Sequence, residues 1–292
     1  MYDLLIIGAG PAGIATAYEA KKAGLEYVVI EKGLIGNTIY NYPVGLTVFS
    51  TTNELEFNEG DLKPAREKPT REELLSYYVR FVLDNELNVR TEEEVTSIKM
   101  LRSDFLSVSS PSSSSVVRKL TAEKEDEDER TERTFVVATS RVTYETKSVL
   151  FAIGAMDHPR KLNVRGEDLP KVFDHFRETY PWVKKKALIV GGGNSAGEAA
   201  LFLAQEGAET TLAIFRGDWE NNDPKQGCIK YWVKQPLEEE LNEHCLKVFF
   251  LGKVVEIREN EVELESENGE RVVIENDVVF VLIGSDADLT ML

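Results

Sequence analysis

Two glycine-spaced loops carry the chemistry legible in this chain. Leu4-Leu5-Ile6-Ile7 runs into Gly8-Ala9-Gly10-Pro11-Ala12-Gly13, and Ala187-Leu188-Ile189-Val190 runs into Gly191-Gly192-Gly193-Asn194-Ser195-Ala196-Gly197. Each is an apolar strand entering a helix through glycines, which let backbone N–H groups approach a pyrophosphate at a helix N-terminus. One such loop implies a dinucleotide. Two in one chain imply electrons passing between two dinucleotides, a flavin and a nicotinamide.

Side chains after each loop refine the assignment. Glu31 ends the second strand of the first unit, about 20 positions past the glycines, where an acid accepts from ribose hydroxyls. That suits the unphosphorylated adenosine of FAD. Pro11 presets the helix start and removes an N–H that would be orphaned there. In the second unit the strand ends in Phe215-Arg216, with no acid. Arg216 can pair with a 2′-phosphate, favouring NADPH, with Lys225 and Lys230 adding charge; a surface ion pair is the lesser alternative. Glu198, on the first turn of the following helix, suits a nicotinamide ribose or amide and also suits the helix dipole alone.

Around these sites the chain reads as two β-α-β units, each followed by a meander. Strands are expected at 2–7, 27–31, 148–154, 187–190 and 210–215. Helices are expected at 11–23 and 194–205, ended by Gly24 and Gly207. Residues 33–63 read as irregular, and Thr70-Arg71-Glu72-Glu73 is a capping box opening a helix to about 85. The first meander is placed near 94–101, 104–109, 134–139 and 142–146; the second at 247–251, 253–259, 261–267, 271–275 and 277–283. The fold class is α/β, two Rossmann-like three-layer β/β/α domains with the NADPH domain inserted in the FAD domain. The expected FAD domain is 1–157, with a flexible Ser-rich and charged insert at about 107–134. The expected NADPH domain is 158–284, and 285–292 begins a return to the FAD domain.

Composition narrows the class. Acidic residues outnumber basic ones 51 to 34, giving a net charge of −17, which disfavours nucleic acid and anionic membranes. No apolar run of about 18 residues spans a membrane, and the N-terminus carries no secretion signal. Two cysteines, Cys228 and Cys245, build no disulfide framework and fit a cytoplasmic protein with inert thiols. His158, His175 and His244 sit in unrelated contexts and have no assigned acid–base role. No metal-site spacing occurs.

Tyr2–Gly13, Val28–Lys32 and Gly191–Glu198 together resemble the low-molecular-weight thioredoxin-reductase-like flavoproteins. Asn37-Thr38-Ile39-Tyr40-Asn41-Tyr42-Pro43, Phe49-Ser50-Thr51, Pro69–Glu73 and Ile229-Lys230-Tyr231-Trp232-Val233 resemble the bacillithiol-disulfide reductase (YpdA-like) branch of that family. The resemblance implies that NADPH reduces FAD, which reduces a low-molecular-weight disulfide or a small redox carrier, in a homodimer. It places flavin contacts on Gly8, Gly10, Pro11, Ala12, Gly13, Glu31, Lys32, Asn37, Thr38, Ser50, Thr51 and Gly154. It places NADPH contacts on Gly191, Gly193, Asn194, Ser195, Ala196, Glu198, Arg216 and Lys230.

Departures from the family pattern carry expectations of their own. Gly166–Lys186 lacks the cysteine pair of thioredoxin reductases, so thioredoxin is not the expected acceptor. Ala12 stands where some branch members carry cysteine. The sequence ends at Leu292, where family members recross to cover the flavin, so weakened FAD affinity is expected. Two alternatives stay open: an NADPH:ferredoxin or flavodoxin reductase, and a catalytically silent nucleotide-binding protein.

Overall fold

The computed structural model describes residues 1–102, 133–156, 158–221, 223, 229–242 and 246–286. The expected strand at 104–109, the Ser-rich and charged insert, Lys225, Cys228, His244 and Cys245 lie outside them. The chain divides into two compact units: residues 1–34 with 82–152, and residues 35–81 with 153–290, single terminal residues aside.

In the first unit, β1 (Leu4–Ile7), β2 (Tyr27–Ile30), β3 (Val89–Arg90) and β7 (Val149–Phe151) form a parallel sheet in the order β3-β2-β1-β7. Leu5, Ile6, Val28 and Val29 are fully buried, as expected of a parallel strand covered on both faces. Between β1 and β2 runs α1 (Pro11–Lys22), with Pro11 in the first turn and Lys21 and Lys22 in the last. It buries Gly13, Ile14, Ala17 and Ala20. Gly24, at φ +71, ends it: the Gly24 N–H donates to Lys21 O at 3.0 Å and the Leu25 N–H to Ala20 O at 3.0 Å. This is a Schellman closure, for which glycine is the least strained residue. A separate antiparallel sheet joins β4 (Val95–Arg102), β5 (Arg133–Thr139) and β6 (Thr143–Thr146).

The second unit opens with residues that read as irregular in the sequence yet contain two four-residue helices, α2 (Asn37–Tyr40) and α3 (Thr52–Leu55). The capping box then forms as expected at α4 (Arg71–Asp84), whose C-terminal residues belong to the first unit. The Glu73 N–H donates to Thr70 Oγ1 at 3.2 Å, and the Thr70 N–H donates to Glu73 Oε2 at 2.8 Å.

A seven-stranded sheet follows, in the order β14-β13-β12-β11-β10-β15-β9. It contains β9 (Val172–Phe173), β10 (Lys186–Val190), β11 (Glu209–Ile214), β12 (Leu246–Ile257), β13 (Glu261–Ser266), β14 (Arg271–Glu275) and β15 (Val278–Val281). β8 (His158–Pro159) pairs with β16 (Ser285–Asp286) in a two-stranded ribbon. The helices of this unit are α5 (Asn194–Gln205), α6 (Arg216–Glu220) and α7 (Tyr231–Asn242). Gly207 closes α5 as Gly24 closes α1, with Gly207 N–H to Ala204 O at 3.0 Å and Ala208 N–H to Leu203 O at 2.9 Å.

One boundary is corrected. The segments expected at 247–251 and 253–259 are a single strand, β12. Its first half pairs parallel with β11 and its second half antiparallel with β13, with register shifts at Leu251/Lys253 and Val254/Glu256. Gly252 sits at the change of partner, and a Cβ there would lie 2.6 Å from Ser266 O. The glycine marks close backbone approach inside a bulged strand and not the turn its sequence suggests.

Candidate functional site: two glycine-loop cradles

In the first cradle β1 delivers the chain to Gly8, at φ +106, and α1 begins at Pro11 with Gly10 as its N-cap. A Cβ on Gly13 would lie 1.9 Å from Gly8 O, whereas a Cβ on Gly10 would meet nothing within 4 Å. Gly13 is therefore demanded by the packing of α1 on the loop. Gly10 leaves open space where a phosphate would approach. Glu31, buried at 8% exposure, accepts from the Ala9 N–H through Oε2 at 2.8 Å and from the Gly33 N–H through Oε1 at 2.7 Å. Each oxygen keeps a further lone pair, so the carboxylate is oriented by the loop and can still accept from a ribose hydroxyl. Lys32 follows it on the exposed side.

The other flavin-assigned residues lie in the second unit. Asn37 and Thr38 open α2, Ser50 precedes α3, and Thr51 is its N-cap. The Thr51 N–H and Oγ1 both reach Glu54 Oε2, at 3.0 and 3.2 Å, so its polar groups serve the cap. Gly154, at φ +73, follows β7 with open space around its Cβ position.

The second cradle repeats the first on β10 and α5. Gly191, at φ +157, would place a Cβ 2.3 Å from Leu282 O and 2.9 Å from Ala196 Cβ. Gly193 caps α5 with extended backbone. Gly197 admits the side chains of α7: a Cβ there would lie 3.0 Å from Val233 Cγ1 and 3.2 Å from Leu237 Cδ1. Asn194 and Lys230 are brought together, the Lys230 N–H donating to Asn194 Oδ1 at 2.7 Å. Asn194 thus fastens the start of α7 to the loop. Ser195 is exposed on the first turn of α5, and Ala196 is fully buried.

Glu198 is the unusual acid of this cradle. Burial pushes its carboxyl up to about 7, and its charge in turn helps raise the phenol of Tyr42, itself raised first by burial. The Asn-Thr-Ile-Tyr-Asn-Tyr-Pro segment thus supplies a neighbour for Glu198 that spacing alone did not reveal.

Arg216 is engaged within the chain. Its Nε donates to both carboxylate oxygens of Glu267, at 2.9 and 2.8 Å, and Nη2 bonds the same carboxylate. Nη1 reaches Glu220 at 3.5 Å, and the guanidinium lies 3.8 Å from the centroid of the Phe250 ring. Glu267 lies 51 positions away in the chain, in the turn after β13, and no local sequence signal links the two. Asp218 was likewise missed: its Oδ2 stands 2.3 Å from where a Gly192 Cβ would be, against the loop itself.

Among the described residues no group of His, Cys, Asp and Glu could hold a metal ion, and no helix is long and apolar enough to cross a membrane. The first glycine cradle, open at Gly10 and flanked by the oriented carboxylate of Glu31, fits a dinucleotide on its geometry.

Comparison with known proteins agrees. The pyridine nucleotide-disulphide oxidoreductase family matches residues 5–117 and 123–292. The bacilliredoxin reductase Bdr of Bacillus subtilis is 35% identical over 284 residues, 97% of this chain and 77% of that protein. The solved structure of the bacillithiol disulfide reductase Bdr (YpdA) from Staphylococcus aureus is 31% identical, with a TM-score of 0.80 over 98% of this chain and 77% of that one. The thioredoxin reductase of T. acidophilum shares the fold at 20% identity, with a TM-score of 0.66 over 97% of this chain and 77% of that one. The chain therefore belongs to the pyridine nucleotide-disulphide oxidoreductase family, with two Rossmann-like nucleotide-binding folds, and is an FAD-dependent oxidoreductase.

Proposed function

We propose that this protein uses NADPH and FAD to reduce a low-molecular-weight disulfide of the bacillithiol-disulfide type. The observation that carries this reading is the 31% identity, over 98% of this chain, to the solved bacillithiol disulfide reductase of Staphylococcus aureus, beside the 35% identity to the bacilliredoxin reductase. The net reaction takes NADPH, a proton and RSSR to NADP⁺ and two RSH. When bound, FAD supplies the two-electron relay between nicotinamide and disulfide.

The chain's own residues bind and orient. Gly8, Gly10 and Gly13 seat the FAD pyrophosphate on the N-terminus of α1, and Glu31 accepts from its adenosine ribose. Gly191, Gly193 and α5 do the same for NADPH, with Arg216 facing the 2′-phosphate. Glu198, titrating near neutrality, can hold or release a proton beside Tyr42. Ala12 offers no thiol in the flavin loop, so the disulfide accepts electrons without forming a mixed disulfide at that position.

The FAD domain is assigned to 1–157 and the NADPH domain to 158–284, inserted in the first. A homodimer in the cytoplasm completes the proposal: the family resemblance supports the dimer, and a chain of two cysteines suits a reducing compartment. Anaerobic NADPH oxidation with bacillithiol disulfide, thioredoxin and ferredoxin offered separately tests the acceptor. Turnover with the small disulfide alone is expected; turnover with ferredoxin alone would replace this reading.

A further inference from the structure

We propose that Glu267 tunes the selectivity of the second nucleotide site by competing with the 2′-phosphate for Arg216. This rests on the reading that Arg216 meets that phosphate. A guanidinium presents its Nε and Nη2 hydrogens as a flat fork that carboxylate and phosphate fill in the same way. Here that edge is filled by Glu267, with both oxygens within 2.9 Å of Nε. The Phe250 ring beneath the guanidinium, at 3.8 Å, fixes the plane of the fork. Phe250 O in turn accepts from the Glu267 N–H at 3.2 Å. One strand and its neighbouring turn therefore hold both the cation and its competitor.

Two consequences follow from charge. A dianionic 2′-phosphate approaching the paired site meets a neutralised arginine beside a carboxylate, not a free cation. A nucleotide without the phosphate does not need the fork and is indifferent to Glu267. Arg216 holds the Glu267 carboxyl below the ordinary range, so the competitor is ionised at neutral pH. Glu220 touches the same arginine only through Nη1, outside the fork edge, and serves as the internal control.

The test is equilibrium binding to the full chain, by calorimetry, of adenosine 2′,5′-bisphosphate and of 5′-AMP. Glu267→Gln keeps the shape and removes the charge. It is expected to tighten the bisphosphate by about fivefold or more, the scale of an exposed ion pair reinforced by bidentate geometry, with 5′-AMP unchanged. Glu220→Gln is expected to shift either ligand by less than about twofold. Unchanged or weaker bisphosphate binding in Glu267→Gln overturns the proposal, as does equal tightening in Glu220→Gln. Arg216→Ala separates the underlying reading: if it leaves bisphosphate affinity intact, Arg216 is not the phosphate contact, whatever Glu267 does.

Discussion

At the scale of single residues the two cradles separate packing from ligand binding. Gly13 and Gly10 differ by three positions and by cause. A Cβ on Gly13 would drive into Gly8 O, so Gly13→Ala is expected to destabilise the first unit by about 3 kcal/mol, the cost of overpacking against backbone. Gly10→Ala meets no neighbour, so its thermal midpoint is expected to move little, within about 1 kcal/mol, while FAD retention collapses. Differential scanning fluorimetry beside flavin absorbance distinguishes the two. At Arg216, replacement by alanine is expected to weaken NADPH roughly tenfold to a hundredfold while sparing NADH, as for a lost charge-assisted pair. Equal losses for both nucleotides in a fluorescence titration would count against that role.

Glu198 gives a pH signature. Its folded pKa of about 7 lies above the ordinary carboxyl value of 4.5, because burial disfavours the charged form. The native state therefore holds more protons than the unfolded one between those values. Stability from this group is present below pH 4.5 and falls as pH rises toward 7. Glu198→Gln is expected to flatten that part of the stability-versus-pH curve in urea melts. An unchanged slope would show that the group is solvated.

At the scale of elements, apolar runs and glycine punctuation were legible because their causes are local. β1, α1, β2, β10, α5 and β11 follow from apolar runs, helix starts at the loops and terminal glycines that form Schellman closures. α7 runs through Pro236, a residue that local propensity alone disfavours inside a helix. What holds it is tertiary: Ile229, Val233 and Leu237 are buried in the same core cluster as Ala196 and Ala200 of α5. The two short helices of residues 37–55 were missed because four-residue helices have almost no periodicity to read. The loop glycines, Glu31 and Glu198 stand out by spacing alone. Glu267 and Asp218 do not, since each reaches its cradle through the fold.

Gly197→Leu tests the α5–α7 contact. Its Cβ alone would stand 3.0 Å from Val233, so the larger side chain is expected to displace α7 and lower the melting midpoint. Retained stability would mean that α7 docks elsewhere.

At the scale of the whole molecule, the chain carries a net charge of −17 while the proposed ligands are themselves anions. A bound pyrophosphate would sit in a long-range field that repels phosphates and acidic carriers. Association of NADPH is therefore expected to quicken as ionic strength rises from low values, because screening removes repulsion before it weakens the buried contacts. The measurement that tests the central claim most directly is a visible spectrum of the full chain loaded with FAD and desalted, then titrated with NADPH without oxygen. Two working cradles predict a retained flavin band that bleaches with one equivalent of NADPH. A colourless chain, or a flavin band that NADPH leaves untouched, would contradict it.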